Sequence, residues 1–203
     1  MDYTEYTKFF IAILSIVDPL AALPVYFAMT QNTSAEKKQR LPTLLAITIT
    51  ITLLVALFFG ETILAFFGIS TASFRIASGL LLMVTAWQMF QNSGVPNLAI
   101  SNSDSDASAV VPLAIPLLAG PGAISTAIVY ASHQHSFLHS MSLACCIVLL
   151  GAVVWLFFRM ASVLVTKISP LVLAISSKIM GLIIAAIAVE FVSNGIKLIV
   201  SNA

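Results

Sequence analysis

Proline 19 recurs as proline 121, and the same offset of 102 residues brings much else into register. Ala21 falls on Ala123, Gly79 on Gly181, Leu80 on Leu182, Ala86 on Ala188 and Asn92 on Asn194, while Gln88 falls on its near-isostere Glu190. The prolines, glycines and asparagines carry the weight of this match, since aliphatic coincidences arise from composition alone. Each half holds three apolar stretches of membrane length. Three is an odd number, so a second copy of the unit must enter the bilayer from the side opposite to the first. The expected architecture is an inverted-topology repeat with helix-breaking prolines at matching places, the arrangement that marks the solute site in secondary transporters.

Composition agrees. With 60% hydrophobic and 8% charged residues among 203, a water-soluble fold would expose far more apolar surface than such proteins tolerate. A net charge of +1, with no basic cluster beyond Lys37, Lys38 and Arg40, offers little to a phosphate backbone, so nucleic acid is excluded as a partner. The opening residues, Met1 to Tyr6, are acidic and lack the positive region of a cleaved signal peptide. The first helix is therefore expected to stay as an uncleaved anchor. Cys145 and Cys146 are adjacent inside an apolar run, a placement that suits packing and not a disulfide framework or a metal site.

Segments that can span at roughly 20 residues each are 9–29, 41–67, 72–91, 109–131, 137–165 and 171–200. The expected fold is all-α, with six transmembrane helices forming two inverted three-helix repeats, 1–91 and 109–203, joined by a solvated linker at 92–108 in a single membrane domain. Thr48, Thr50 and Thr52 alternate with isoleucine as in a strand, but an isolated strand in lipid leaves its backbone unpaired, so this stretch reads as helix. His133, His135 and His139 read as loop or interfacial histidines, and Glu61 with Arg75 as a solvated pair across a short loop. Small residues on the third and sixth segments, among them Gly79, Ala86, Gly181 and Ala188, allow close helix approach. An outside N-terminus puts Lys37, Lys38, Arg40, Arg159, Lys167 and Lys178 inside and leaves only Lys8, Arg75 and Lys197 outside. The positive-inside rule thus predicts periplasmic or extracellular termini in a multi-pass protein of the cell inner membrane.

Two breaks carry the candidate chemistry. Asp18-Pro19 falls about 15 Å into the first helix at 1.5 Å per residue, near the midplane, where a carboxylate costs about 2.5–3.5 kcal/mol and is functional by default. Asp before Pro also reads as a helix start, with Asp as cap, so the pair is expected to end one half-helix and begin another. Its counterpart, Gly120-Pro121-Gly122, carries no carboxylate, but its glycines would leave backbone N–H groups accessible at a half-helix N-terminus, which favours an anion. A negative charge facing bare donors is a complementary pair for a zwitterion. The candidate substrate-binding residues are Asp18, Pro19, Ala21, Gly120, Pro121, Gly122, Ala123, Ser125 and Glu190. The depth of Glu190 depends on where the last helix begins, and Asn194 one turn beyond reads as a packing hydrogen bond.

At these residues the chain resembles the MarC-type family of integral membrane proteins. The resemblance rests on Asp18-Pro19 with Pro24, on the proline-glycine string from Val111 to Ser125, on Phe74–Gly79 and on Lys178–Leu182. It covers nearly the whole length. The chain departs from the family in having Asp18 where many members have asparagine, and Ala21-Ala22 where a glycine commonly follows the first proline. The resemblance implies a transporter of small neutral amino acids such as glycine or alanine, the substrates of an archaeal relative.

The expected function is therefore a secondary transporter of a small neutral solute. Its expected partners are that solute, a coupling proton or sodium ion and the lipid bilayer, with a homo-oligomer left open; no cofactor is expected. An ion channel would need polar residues repeating along several helices, and a non-transporting assembly or stress-response protein would need no midplane site. No nucleophile–base pair or metal-ligand cluster lies at depth, so the chain is not read as an enzyme.

Overall fold

The computed structural model describes residues 3–20, 22–23, 26, 35–91, 119–132, 136–164 and 170–201. Every regular element among them is an α-helix: α1 (Tyr3–Val17), α2 (Ala35–Phe66), α3 (Thr71–Gln91), α4 (Pro121–Ala131), α5 (Phe137–Leu164) and α6 (Pro170–Ser201). A helix satisfies its own backbone in lipid, and Thr48, Thr50 and Thr52 accordingly lie within α2. The linker 92–108, the stretch 109–118, Ala21, Pro24, His133 and His135 lie outside the described residues.

Three stretches among the described residues are long and apolar enough to cross a membrane: Gln39–Phe66, Phe137–Ala161 and Lys178–Ser201. The expected six-span count is thus met only in part. α1 and α4 have 15 and 11 residues, which reach roughly 22 and 16 Å, short of a hydrocarbon core about 30 Å thick. α1 stops at Asp18 and α4 starts only at Pro121, so the two segments expected to be broken contribute short helices.

Local chemistry explains the tight joint between α2 and α3. Gly68 has φ +69°; its N–H donates to the Ala65 carbonyl at 3.0 Å and that of Ile69 to Leu64 at 2.9 Å. This paired C-terminal closure needs a left-handed residue, which glycine supplies without a Cβ clash. Two residues on, the Ser70 hydroxyl accepts the Ser73 N–H at 3.1 Å and caps α3.

Each helix of the first half packs on its counterpart in the second: α1 on α4, α2 on α5 and α3 on α6. At the α3–α6 crossing a Cβ on Gly79 would lie 2.9 Å from the Ala188 carbonyl oxygen, and one on Gly181 would lie 3.4 Å from that of Ala86. These contacts exchange under the 102-residue offset. A Cβ on Gly195 would meet the Ala72 carbonyl at 3.1 Å, so contact positions fall along α6 as they rise along α3, and the helices run antiparallel. α2 and α5 are also antiparallel: Gly151 abuts Thr50, and Trp155 Nε1 donates to Thr43 Oγ1 at 3.0 Å. Hydrocarbon provides little drive for helix association, so close approach through small residues is what holds such pairs.

That contact geometry gives a graded prediction. Gly79→Ala is expected to lower stability by about 1–3 kcal/mol, because its methyl meets a backbone oxygen that cannot move aside. In Gly181→Ala the looser fit is offset by the roughly 1 kcal/mol that alanine gains over glycine in a helix. Thermal unfolding in detergent should show a clear loss for the first and little change for the second; the reverse order would contradict this crossing.

The interior is built by Phe9, Ile13, Leu53, Leu143, Ile147, Leu150, Val154 and Phe158, all fully buried. The outer faces are equally apolar, with Ile47, Ile51 and Val55 on α2, Leu149 and Leu156 on α5, and Leu182 and Val189 on α6 all exposed. Helices hydrophobic on every side belong in lipid. His139, expected at a loop or interface, is instead buried at the start of α5. Its Nε2 lies 3.0 Å from the Tyr130 carbonyl and its Nδ1 3.2 Å from the Tyr6 hydroxyl. A carbonyl only accepts, so Nε2 donates, and in the neutral ring Nδ1 then accepts a hydrogen bond from the Tyr6 hydroxyl, tying α1, α4 and α5 at one end of the bundle.

Candidate functional site

α4 sits in the middle of the helices, with Gly122, Ala123 and the run Ser125–Val129 buried. Its start follows from the sequence: Gly120, with φ −64° and ψ 173°, is extended, and Pro121 opens the helix where its missing N–H is no loss. Gly120 has no side chain with which to cap this end. The N–H of Ile124 returns to the Gly120 carbonyl at 3.1 Å, whereas those of Gly122 and Ala123 have no acceptor within the helix, by geometry.

One turn further in, two hydroxyls behave differently. Thr126 Oγ1 donates to the Gly122 carbonyl at 2.8 Å, the usual back-bond of a buried helical threonine. Ser125 Oγ is fully buried and has no hydrogen-bond partner among the described residues. A buried donor left unmatched costs about 1–3 kcal/mol, so this hydroxyl is a candidate solute contact.

The other break lies alongside. α1 runs antiparallel to α4: the rings of Phe9 and Tyr130 are 5.0 Å apart, and Ile16 would be 3.1 Å from a Cβ on Gly122. Asp18 follows Ile16 by two residues and is 3% exposed. Its N–H donates to the Leu14 carbonyl at 3.0 Å, and its φ of +38° is in the left-handed region. Asp18 therefore closes α1 in the manner of a C-terminal capping residue; the sequence reading had a half-helix ending at this pair but gave the Asp18 side chain to the start of the next one. Aspartate and asparagine enter this region more readily than other non-glycine residues. Pro19 is buried beside it, and Val17, Ala22, Leu23, Ala119, Ala123 and Ala127 belong to one apolar cluster around the two breaks.

Not all the expected site residues converge. Gly120 is half-buried and Pro121 exposed, and Gly122 is covered by Leu82 of α3 as well as by Ile16. Its backbone is thus packed, not open, in this conformation. Glu190 is exposed on α6 and accepts from Asn194 Nδ2 at 2.6 Å. It is within electrostatic reach of Arg75, near the end of the bundle where α3 begins, whereas Gly122 meets α3 at Leu82, about two turns further on. Arg75, read from sequence as solvated, is half-buried with its guanidinium 5.4 Å from the centre of the Phe191 ring. Sequence spacing gave no signal for this contact, which arises only from the antiparallel register of α3 and α6. Among the described residues no group of three or more His, Cys, Asp or Glu side chains could hold a metal ion.

Comparison with known proteins agrees with a membrane-embedded chain. The profile of the MarC family integral membrane proteins matches residues 3–200. The chain is 36% identical over 201 residues to the UPF0056 membrane protein YhcE of Escherichia coli (strain K12), covering 97% of this chain and 94% of the relative. A UPF0056 membrane protein of Methanocaldococcus jannaschii is 32% identical over 203 residues, covering 97% and 98%, and one of Pyrococcus abyssi 28% over 190 residues, covering 93% and 92%. No solved structure matches the chain significantly.

Proposed function

Because this chain belongs to the MarC family of integral membrane proteins, we propose that it is a secondary transporter of a small neutral solute, amino acids such as glycine or alanine, working from a site between two inverted three-helix repeats. The observation that carries this reading is the side-by-side placement of two repeat-equivalent helix breaks within the bundle, at Asp18-Pro19 and at Gly120-Pro121-Gly122. Antiparallel packing of each helix on its counterpart supports inversion, since counterparts point in opposite directions only when the second repeat crosses the bilayer the other way.

The chemistry of the breaks fits a zwitterion. Once the packing over Gly122 opens, the start of α4 would offer N–H groups and the positive end of a helix dipole to a carboxylate, with the Ser125 hydroxyl one turn behind and the buried Asp18 carboxyl at the neighbouring break as the partner for the amine. Packing of Leu82 and Ile16 over Gly122 makes this an occluded conformation; α1 or α3 would have to move for the solute to enter. Coupling to protons or sodium, and termini on the periplasmic side of the inner membrane, complete the proposal.

Purified protein in vesicles should accumulate labelled glycine or alanine when a proton or sodium gradient is imposed, with leucine a poor competitor. Absence of both uptake and exchange for the whole amino-acid panel under either gradient would favour the non-transporting alternative.

A further inference from the structure

A second polar region lies away from the breaks, where α3 begins and α4 and α6 end. There a cavity of about 700 Å³ is lined by Ser70, Thr71, Arg75, Ser132, Asn194 and Lys197, among others. Two cations on separate helices share one cavity in a chain that is 8% charged, and among the carboxylates of the described residues Glu190 is the one within electrostatic reach of Arg75. The Nε of Arg75 is buried with no hydrogen-bond partner among the described residues.

The backbone adds to the positive charge. The first turn of α3 opens on the cavity through Thr71 and Ala72, and of its early N–H groups the Ser70 hydroxyl takes that of Ser73. α4 ends at the same place, which would bring negative carbonyls, but three of its last four are occupied. The Ser132 N–H covers the carbonyls of Ile128 and Tyr130, its hydroxyl donates to that of Val129 at 2.8 Å, and His139 Nε2 also reaches Tyr130. The donor end of α3 thus keeps the N–H groups of Thr71 and Ala72 beyond reach of any carbonyl within the helix, while most of the acceptor end of α4 is already bonded.

We propose that this cavity is a binding site for a phosphate oxyanion, held between Arg75 of α3 and Lys197 of α6. Guanidinium and ammonium groups together supply a planar fork and a mobile point charge, the usual pairing around phosphate. The phosphate can come from an anionic lipid headgroup at the membrane surface or from solution, and the site does not depend on what the central breaks carry.

The test uses full-length protein in detergent. Inorganic phosphate, against chloride at matched ionic strength, probes the soluble source through the thermal unfolding midpoint; phosphatidylglycerol, followed by native mass spectrometry, probes the lipid source. A saturable shift with phosphate identifies the first source, and retained lipid adducts without such a shift identify the second. Lys197 is exposed, so Lys197→Gln should fold normally while weakening whichever probe binds by roughly tenfold, the loss expected for one charged hydrogen bond. Lys178→Gln, on an exposed position of the same helix, should leave binding unchanged. The proposal is overturned if neither probe binds, or if Lys197→Gln binds as tightly as the parent protein.

Discussion

Gly122→Val is expected to abolish solute uptake, and restoring the lost space is expected to rescue the fold but not the activity. A Cβ at residue 122 would sit 2.8 Å from Leu82 Cγ and 3.1 Å from Ile16 Cγ2, so valine overpacks the junction of α1, α3 and α4. Overpacking of this kind costs about 1–3 kcal/mol. The single variant therefore cannot separate packing from solute access. Adding Leu82→Ala removes the side chain in the way and returns much of the volume; Leu82→Ala alone is the control, expected to lose about 2–5 kcal/mol as a buried cavity. If Gly122 is needed only for packing, the double variant regains both unfolding midpoint and uptake. With its N–H serving as a solute donor, the β-branched side chain still blocks the approach, and the double variant melts near the parent protein yet does not transport. Coupling between residues in contact is what such a cycle measures, and recovered uptake would remove Gly122 from the solute site.

Asp18 gives the second large effect, and its left-handed backbone determines which variants are informative. Asp18→Ala loses the carboxyl and also places an alanine at φ +38°, where an ordinary L-residue pays about 1–2 kcal/mol. Asp18→Asn keeps shape and backbone preference while removing the charge; Asp18→Gly relieves the backbone and removes the side chain. A purely conformational role predicts that Asn and Gly both transport like the parent protein while Ala is destabilised. A role in amine recognition predicts that Asn weakens the apparent affinity for glycine or alanine, and that Gly does so at least as strongly. A coupling role predicts that Asn still exchanges labelled solute across the vesicle membrane but no longer accumulates it against a gradient. Measuring unfolding, exchange and accumulation on the same preparations separates the three. Normal exchange and accumulation in both Asn and Gly variants would leave Asp18 as the closure of α1 and nothing more.

The same residue shows where reading from sequence reaches its limit. That the chain turns at Asp18-Pro19 was legible, because a proline removes a helix donor and clashes with the preceding turn, a cost that the long helix α2 accommodates at Pro42 but that the short α1 does not. Which side of the break Asp18 serves was not, since an aspartate can cap a following helix or close a preceding one, and only the backbone conformation distinguishes them. The start of α4 was legible for a similar reason: Gly120-Pro121 is a local instruction that needs no partner. Helices in place of strands followed from the solvent, as lipid cannot satisfy an open strand. The offset of 102 residues likewise marked Gly79, Ala86, Gly181 and Ala188 as equivalent positions before any contact was known.

What only the tertiary structure decided are the contacts between helices, which depend on register and rotation, and neither is encoded locally. Gly122 read as an open approach to the backbone, but Leu82 from α3 and Ile16 from α1 cover it. Three loop histidines gave no hint that His139 would be drawn into the bundle by Tyr6 and the Tyr130 carbonyl, because its partners lie on two other helices. Glu190, level in sequence with the repeat of a glutamine, is held by Asn194 one turn along its own helix, while Arg75 comes to it from α3. An intramembrane charge announces itself in sequence by its rarity; its partner is named only when antiparallel helices set residues far apart in the chain at the same depth.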